Sequence, residues 1–187
     1  MVLHSVAHNP TGVDPTEEEW NRIIDVIERK GHFAFADCAY QGFASGDLKA
    51  DSFSARLLVR RGIEFFVAQS FSKNFGLYGE RVGCLTMVLA SKQNALTAGT
   101  QMRVIVRGMY SNPPSTGALI VGRILSDPQL FLEWEEDMKE MSGRMLAVRR
   151  QLFDLLVANK TPGDWTHVIK QIGMFSYLGL SRLTSLS

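Results

Sequence analysis

The sequence predicts an α/β fold: a mostly parallel sheet with flanking helices. Two observations carry the prediction. Short apolar runs at 2–7 (VLHSVA), 32–36 (HFAFA) and 64–68 (EFFVA) alternate with helix-length segments at the spacing of βαβ units. Each run also ends in turn or loop chemistry: HNPTG at 8–12, a loose ASGD at 44–47, and a loop broken by Gly76 and Gly79.

The elements follow in order. After the first strand, Thr16 and Glu19 spell a capping box, and Glu17, Glu18 and Glu19 suit the positive end of a helix dipole. Trp20, Ile23, Ile24 and Ile27 then recur at i, i+3, i+4 and i+7, so this helix must pack one apolar stripe before ending near Lys30 and Gly31. The second strand, 32–36, carries Asp37 at its carboxyl end. A helix over 51–61 leads to the strand at 64–68. Residues 82–89 (VGCLTMVL) form a further strand, expected antiparallel because the link to it is too short for a crossover helix. Helices are expected over 91–107 and 115–126, separated by YSNPP at 110–114. Asp127-Pro128 opens a long helix toward residue 160 with proline in its first turn. Its expected core-facing stripe is Phe131, Trp134, Met138, Met141, Met145 and Val148, and its length suits a bridge between two lobes. Residues 172–178 (IGMFSYL) read as a strand opening a second lobe, and 181–187 supply no helix-length periodic segment. The chain thus divides at 127: a partial large domain over 1–127, then a linking helix and the start of a small domain over 128–187.

Composition narrows the function classes. Lysine and arginine total 20 against 19 acidic residues, a net charge of +1 that favours neither nucleic acid nor an acidic membrane surface as partner. Two cysteines, Cys38 and Cys84, do not make a disulfide framework and suit a reducing compartment. No stretch reaches about 18 uninterrupted apolar residues, and the first residues lack a basic region followed by an apolar core, so a soluble, cytoplasmic protein is expected. His4 and His8 have a zinc spacing for a helix, but VLHSVAH reads as extended, and no metal is expected. The chain has neither a Gly-x-Ser-x-Gly elbow nor a P-loop. Cys38 beside Asp37 is expected to be a quiet thiol.

The chemistry centres on Lys73 in QSFSKNFGLYGERVG, residues 69–83. Ser70, Ser72 and Arg81 offer hydroxyls and a fixed cation suited to one phosphate. A lysine sharing that anion and partly desolvated can act as a free amine toward a carbonyl, which describes a Schiff-base lysine. In open α/β sheets ligands sit outside the carboxyl ends of strands. Asn9, Asp37 and Lys73 each follow a strand, which brings an amide, a carboxylate and an amine to one sheet edge.

The segment SFSKNFGLYGERVG resembles the cofactor-lysine segment of the aspartate aminotransferase family, class I pyridoxal-phosphate enzymes of fold type I. HNPTG, DCAYQGFASG, YSNPP and QIGMF fall in the order expected of that family. The resemblance implies that Lys73 holds pyridoxal 5'-phosphate and moves the substrate Cα proton, and that Asp37 pairs with the pyridine nitrogen. It implies Asn9 and Tyr40 at the phenolic oxygen, and Ser70 and Arg81 at the phosphate. Arg107 would reach into a neighbouring subunit to bind the distal carboxylate of a dicarboxylic amino acid or 2-oxo acid, which requires a homodimer. The implied reaction is amino-group transfer between L-aspartate and 2-oxoglutarate. Family members also carry a segment before HNPTG and the rest of a C-terminal lobe that this sequence does not include. The resemblance therefore implies a fragment, with an inactive remnant that pairs with a full-length subunit as the alternative, and a pyridoxal-phosphate enzyme of other substrate range as a third class.

Overall fold

The computed structural model describes residues 1–180. Strands β1 (Val2–His4), β2 (Ala34–Cys38), β3 (Phe65–Ser70) and β4 (Gly83–Val88) form one sheet in the order β1-β2-β3-β4. The first three are parallel, and β4 pairs antiparallel with β3, as its short connection requires. Helix α1 (Glu17–Lys30) links β1 to β2, and α2 (Leu48–Asp51) with α3 (Phe53–Arg60) links β2 to β3.

Helix α1 forms as its sequence dictates: the Thr16 hydroxyl accepts from the Glu19 amide while the Glu19 carboxylate accepts from the Thr16 amide, a complete capping box. Its stripe meets the sheet. Trp20, Ile24 and Ile27 bury against Leu57 and Leu58 of α3 and against Ala34, Ala36 and Phe65. The small side chains Ala34 and Ala36 alternate with half-buried Phe35 and Asp37 along β2, the period of two that a strand with one covered face shows. Full burial of Ile24 alone contributes about 1.5–3 kcal/mol.

The remaining helices are α4 (Lys92–Met109), α5 (Thr116–Ser126), α6 (Pro128–Ala158) and α7 (Thr166–Lys170). Asp127 caps α6 by accepting from the Gln129 and Leu130 amides, with Pro128 in the first turn. Among the described residues no helix is long and apolar enough to cross a membrane.

The structure corrects several expectations. Strand β1 ends at His4, not at residue 7, because the Asp14 carboxylate captures the Ala7 and His8 amides and turns the chain out of the sheet. Strand β2 begins two residues later than expected, after the α1 cap, so Asp37 is its penultimate residue rather than the residue beyond it. The helix expected over 51–61 starts at Leu48 under an Asp47 cap and is interrupted at Ser52. On α6 the buried positions are Met138, Ser142 and Arg149, whereas Met141 and Val148 are exposed. At about 100° per residue, Ser142 and Arg149 stay within about 40° of Met138, while Val148 falls about 80° away.

Residues 172–178 are not a strand. Their polar groups find partners outside any ladder: Ile172 donates to the Gly12 carbonyl (2.8 Å), and the Gln171 side chain both donates to the Tyr177 carbonyl and accepts from its amide (2.8 Å each). Gly173 has a φ of +78°, a value incompatible with a strand. Helix α7, just before this segment, was not expected. Residues 181–187 lie outside the described residues.

Candidate active site at the carboxyl ends of the parallel strands

Lys73 lies three residues beyond the end of β3. Its neighbour Asn74 is buried and held from two sides: its side-chain amide donates to the Gln41 carbonyl (3.4 Å), and its own carbonyl accepts from the Trp134 indole of α6 (2.7 Å). With the backbone fixed there, the Lys73 Nζ sits 4.9 Å from the centre of the Tyr40 ring. Tyr40 is buried, and its hydroxyl accepts from the Asn9 side-chain amide at 3.4 Å.

Asp37 faces the same edge. Its register partner across the sheet is His4, whose Nε2 lies 3.8 Å from the Asp37 carboxylate. The His4 Nδ1 in turn accepts from the Asn9 amide at 3.4 Å. Contacts therefore run from Lys73 through Tyr40, Asn9 and His4 to Asp37, each residue touching the next. The Asp37 side chain keeps 42% of its surface exposed, leaving an open carboxylate edge for a ligand.

The loop after Tyr40 is hung on Asp51. One carboxylate oxygen accepts from the Gly42 (2.7 Å) and Ala44 (3.2 Å) amides, and the other from the Ser45 hydroxyl (2.6 Å). Burial pushes the Asp51 carboxyl up, although these donors pull the other way. Gln69, at the end of β3, donates to the Gln41 side chain (2.8 Å) and ties this loop to the Lys73 strand. Burial first, then Asp37 and Asp51, push the Cys38 thiol up to about 11, consistent with the inert thiol expected.

Three other expected residues are not in this contact run. Ser70 ends β3 opposite Gly83, and its hydroxyl accepts from the Ser72 amide (3.2 Å). Arg81, with a φ of +50°, donates to the Tyr78 carbonyl (3.1 Å). Both flank the loop that carries Lys73. Arg107, in the last turn of α4, donates to the Ser111 hydroxyl (2.7 Å) and is exposed. Among the described residues no group of three or more His, Cys, Asp or Glu side chains is arranged to hold a metal.

Sequence reasoning missed two partners of the site. His4 was weighed only as a metal ligand; the signal that identifies it is its parallel register with Asp37. Phe175 packs edge-on against Tyr40, ring centres 5.4 Å apart, and reading 172–178 as a strand concealed it.

A family model described as aminotransferase class I and II matches residues 1–187. The chain is 55% identical over 182 residues to the cytoplasmic aspartate aminotransferase of Dictyostelium discoideum, covering 97% of this chain and 42% of the relative. Among solved structures, the mitochondrial aspartate aminotransferase of Trypanosoma brucei superposes with a TM-score of 0.94 at 48% identity, over 97% of this chain and 48% of that one. An aromatic-amino-acid aminotransferase of Burkholderia pseudomallei, covalently bound to pyridoxal phosphate, gives a TM-score of 0.94 at 40% identity, over 96% of this chain and 45% of that one. The chain spans under half the length of each of these relatives. The mostly parallel sheet with flanking helices is thus the large-domain fold of these enzymes in part, and the chain belongs to the aminotransferase class I and II family.

Proposed function

We propose that the protein acts as an aspartate aminotransferase, moving an amino group between L-aspartate and 2-oxoglutarate with pyridoxal 5'-phosphate as cofactor. The observation that carries this reading is the run of contacts joining Lys73, Tyr40, Asn9, His4 and Asp37 at one sheet edge. That donor set fits a flat heteroaromatic ring with an aldehyde: an amine for the aldehyde, a phenol and an amide for a ring oxygen, and a half-exposed carboxylate for a ring nitrogen. When bound, the cofactor supplies an electron sink for charge developing at the substrate Cα.

Each residue then has one task. Lys73 would hold the cofactor covalently and would carry the proton to and from the substrate Cα. Asp37 keeps the ring nitrogen protonated, and His4 orients Asp37 from the neighbouring strand. Asn9 and Tyr40 donate to the phenolic oxygen, which favours its charged form. Ser70 and Arg81 hold the phosphate from either side of the Lys73 loop. Arg107 binds the distal carboxylate in the site of a partner subunit, so the working form is a homodimer. The exposed Val104, Ile105 and Met109 of α4 place an apolar surface beside Arg107 and support that assembly. The Dictyostelium relative supports a cytoplasmic location.

The test is spectroscopic. Intact protein mixed with pyridoxal 5'-phosphate should gain a visible absorbance band that Lys73→Ala lacks, and L-aspartate should discharge it. Lys73→Ala should lower turnover by about 100- to 10,000-fold. A wild-type protein without the band would overturn the reading, and faster discharge by aromatic or aliphatic amino acids would redirect it to another substrate class.

A further inference from the structure

Arg149 of α6 is 7% exposed, and among the described residues no carboxylate pairs with it. Its Nη2 donates to two backbone carbonyls, those of Gly173 (2.6 Å) and Phe175 (2.5 Å), while its Nη1 has no partner among the described residues. Burial alone lowers its affinity for its proton. A cation kept at that cost, where a long apolar side chain would pack as well, calls for a reason beyond filling space.

The reason lies in what those carbonyls belong to. Residues 171–177 have no ladder to hold them, and they lie directly behind the loop that carries Asn9. Ile172 donates to the Gly12 carbonyl at 2.8 Å. A Cβ on Gly173 would come within 2.5 Å of the Ala7 Cβ, so the two segments meet there in close contact. Phe175 then presents its ring edge-on to Tyr40. We propose that Arg149 is a positioning residue for the candidate site: by gripping the Gly173 and Phe175 carbonyls it seats Phe175 behind Tyr40 and fixes the phenol at Asn9.

Arginine is suited to the task because both bonds come from the one Nη2, whose two hydrogens are fixed in the guanidinium plane, whereas the hydrogens of a lysine ammonium rotate freely. Arg149 touches neither Lys73 nor Asp37 among the described contacts, and it acts only through Phe175 and Tyr40.

The experiment has two arms, run on the intact protein with Arg149→Met, Arg149→Lys and Phe175→Leu. In the first, without cofactor, hydrogen exchange at the Gly12, Ile172 and Tyr177 amides should accelerate about tenfold in Arg149→Met, with β2 and β3 unchanged. The second arm rests on the function proposed above and reads the pH midpoint of the visible absorbance of protein loaded with pyridoxal 5'-phosphate. A loosened Tyr40 stabilises the charged phenolic oxygen less, so the midpoint should rise by about half a unit in Arg149→Met and Phe175→Leu, with Arg149→Lys in between. Wild-type exchange at these amides in Arg149→Met, or a wild-type midpoint in both Arg149→Met and Phe175→Leu, would overturn the inference. Wild-type protein lacking the visible band would sink the functional reading alone, and the exchange arm would still decide the role of Arg149. If Arg149→Met does not fold, Phe175→Leu keeps the cation, and an unmoved midpoint there counts against the proposal.

Discussion

Asp51 holds the loop after Tyr40 through three donors, so its removal should cost more than an ordinary surface change. Asp51→Ala leaves the Gly42 and Ala44 amides without their acceptor and should destabilise the protein by about 2 kcal/mol, read by chemical denaturation. The pH dependence has a definite sign. Burial raises the Asp51 pKa above the ordinary 3.8, so its contribution is fully present below 3.8 and declines as pH rises through the higher folded value. The difference in denaturation midpoint between the wild type and Asp51→Ala should therefore shrink as pH rises from 3.8. At this scale the sequence was most legible where chemistry and position coincide: Asn9, Asp37 and Lys73 were singled out as candidates because each lies near the carboxyl end of a parallel strand. Asp51 was not, because a carboxylate in a helical stretch looks solvated until the loop above it folds back, and Arg149 was hidden among the charged residues of a long helix.

Elements were legible wherever one local rule sufficed. The capping box of α1, the antiparallel turn into β4 and the proline at the start of α6 each rest on a few neighbouring residues, and each is found. The failures needed partners distant in sequence. Residues 172–178 carry strand-like side chains, yet their hydrogen bonds go to Gly12, Gln171 and Arg149, and no pattern within the segment reveals that. The seam where this segment meets the first loop yields a prediction. Gly173→Ala adds a methyl against Ala7 at a positive φ, and should cost about 1–3 kcal/mol in stability. Thermal unfolding checks it, and Met174→Ala next door, at an exposed position, should leave the midpoint close to wild type.

For the molecule as a whole, the placement of Arg107 away from the Lys73 contacts gives the proposed assembly a quantitative consequence. Lys73→Ala and Arg107→Ala should each keep about a hundredth of wild-type turnover or less alone. If Arg107 serves the partner's site, refolding an equal mixture makes about half the dimers mixed, each with one intact site, and should restore about a quarter of wild-type turnover. No gain on mixing would place Arg107 in its own subunit's site, and an active Arg107→Ala would place it outside catalysis.

The packing of α6 on the site loop bears on how the protein ages. The Met138 side chain is fully buried, and its methyl occupies the space that a Cβ on Gly42 would need. Peroxide reaches thioethers by access, and the sulfoxide it makes is larger and polar. Met141, three residues further along α6 and 39% exposed, should be oxidised long before Met138, so mild oxidative damage would accumulate on the outer face of α6 while the loop bearing Tyr40 keeps its shape.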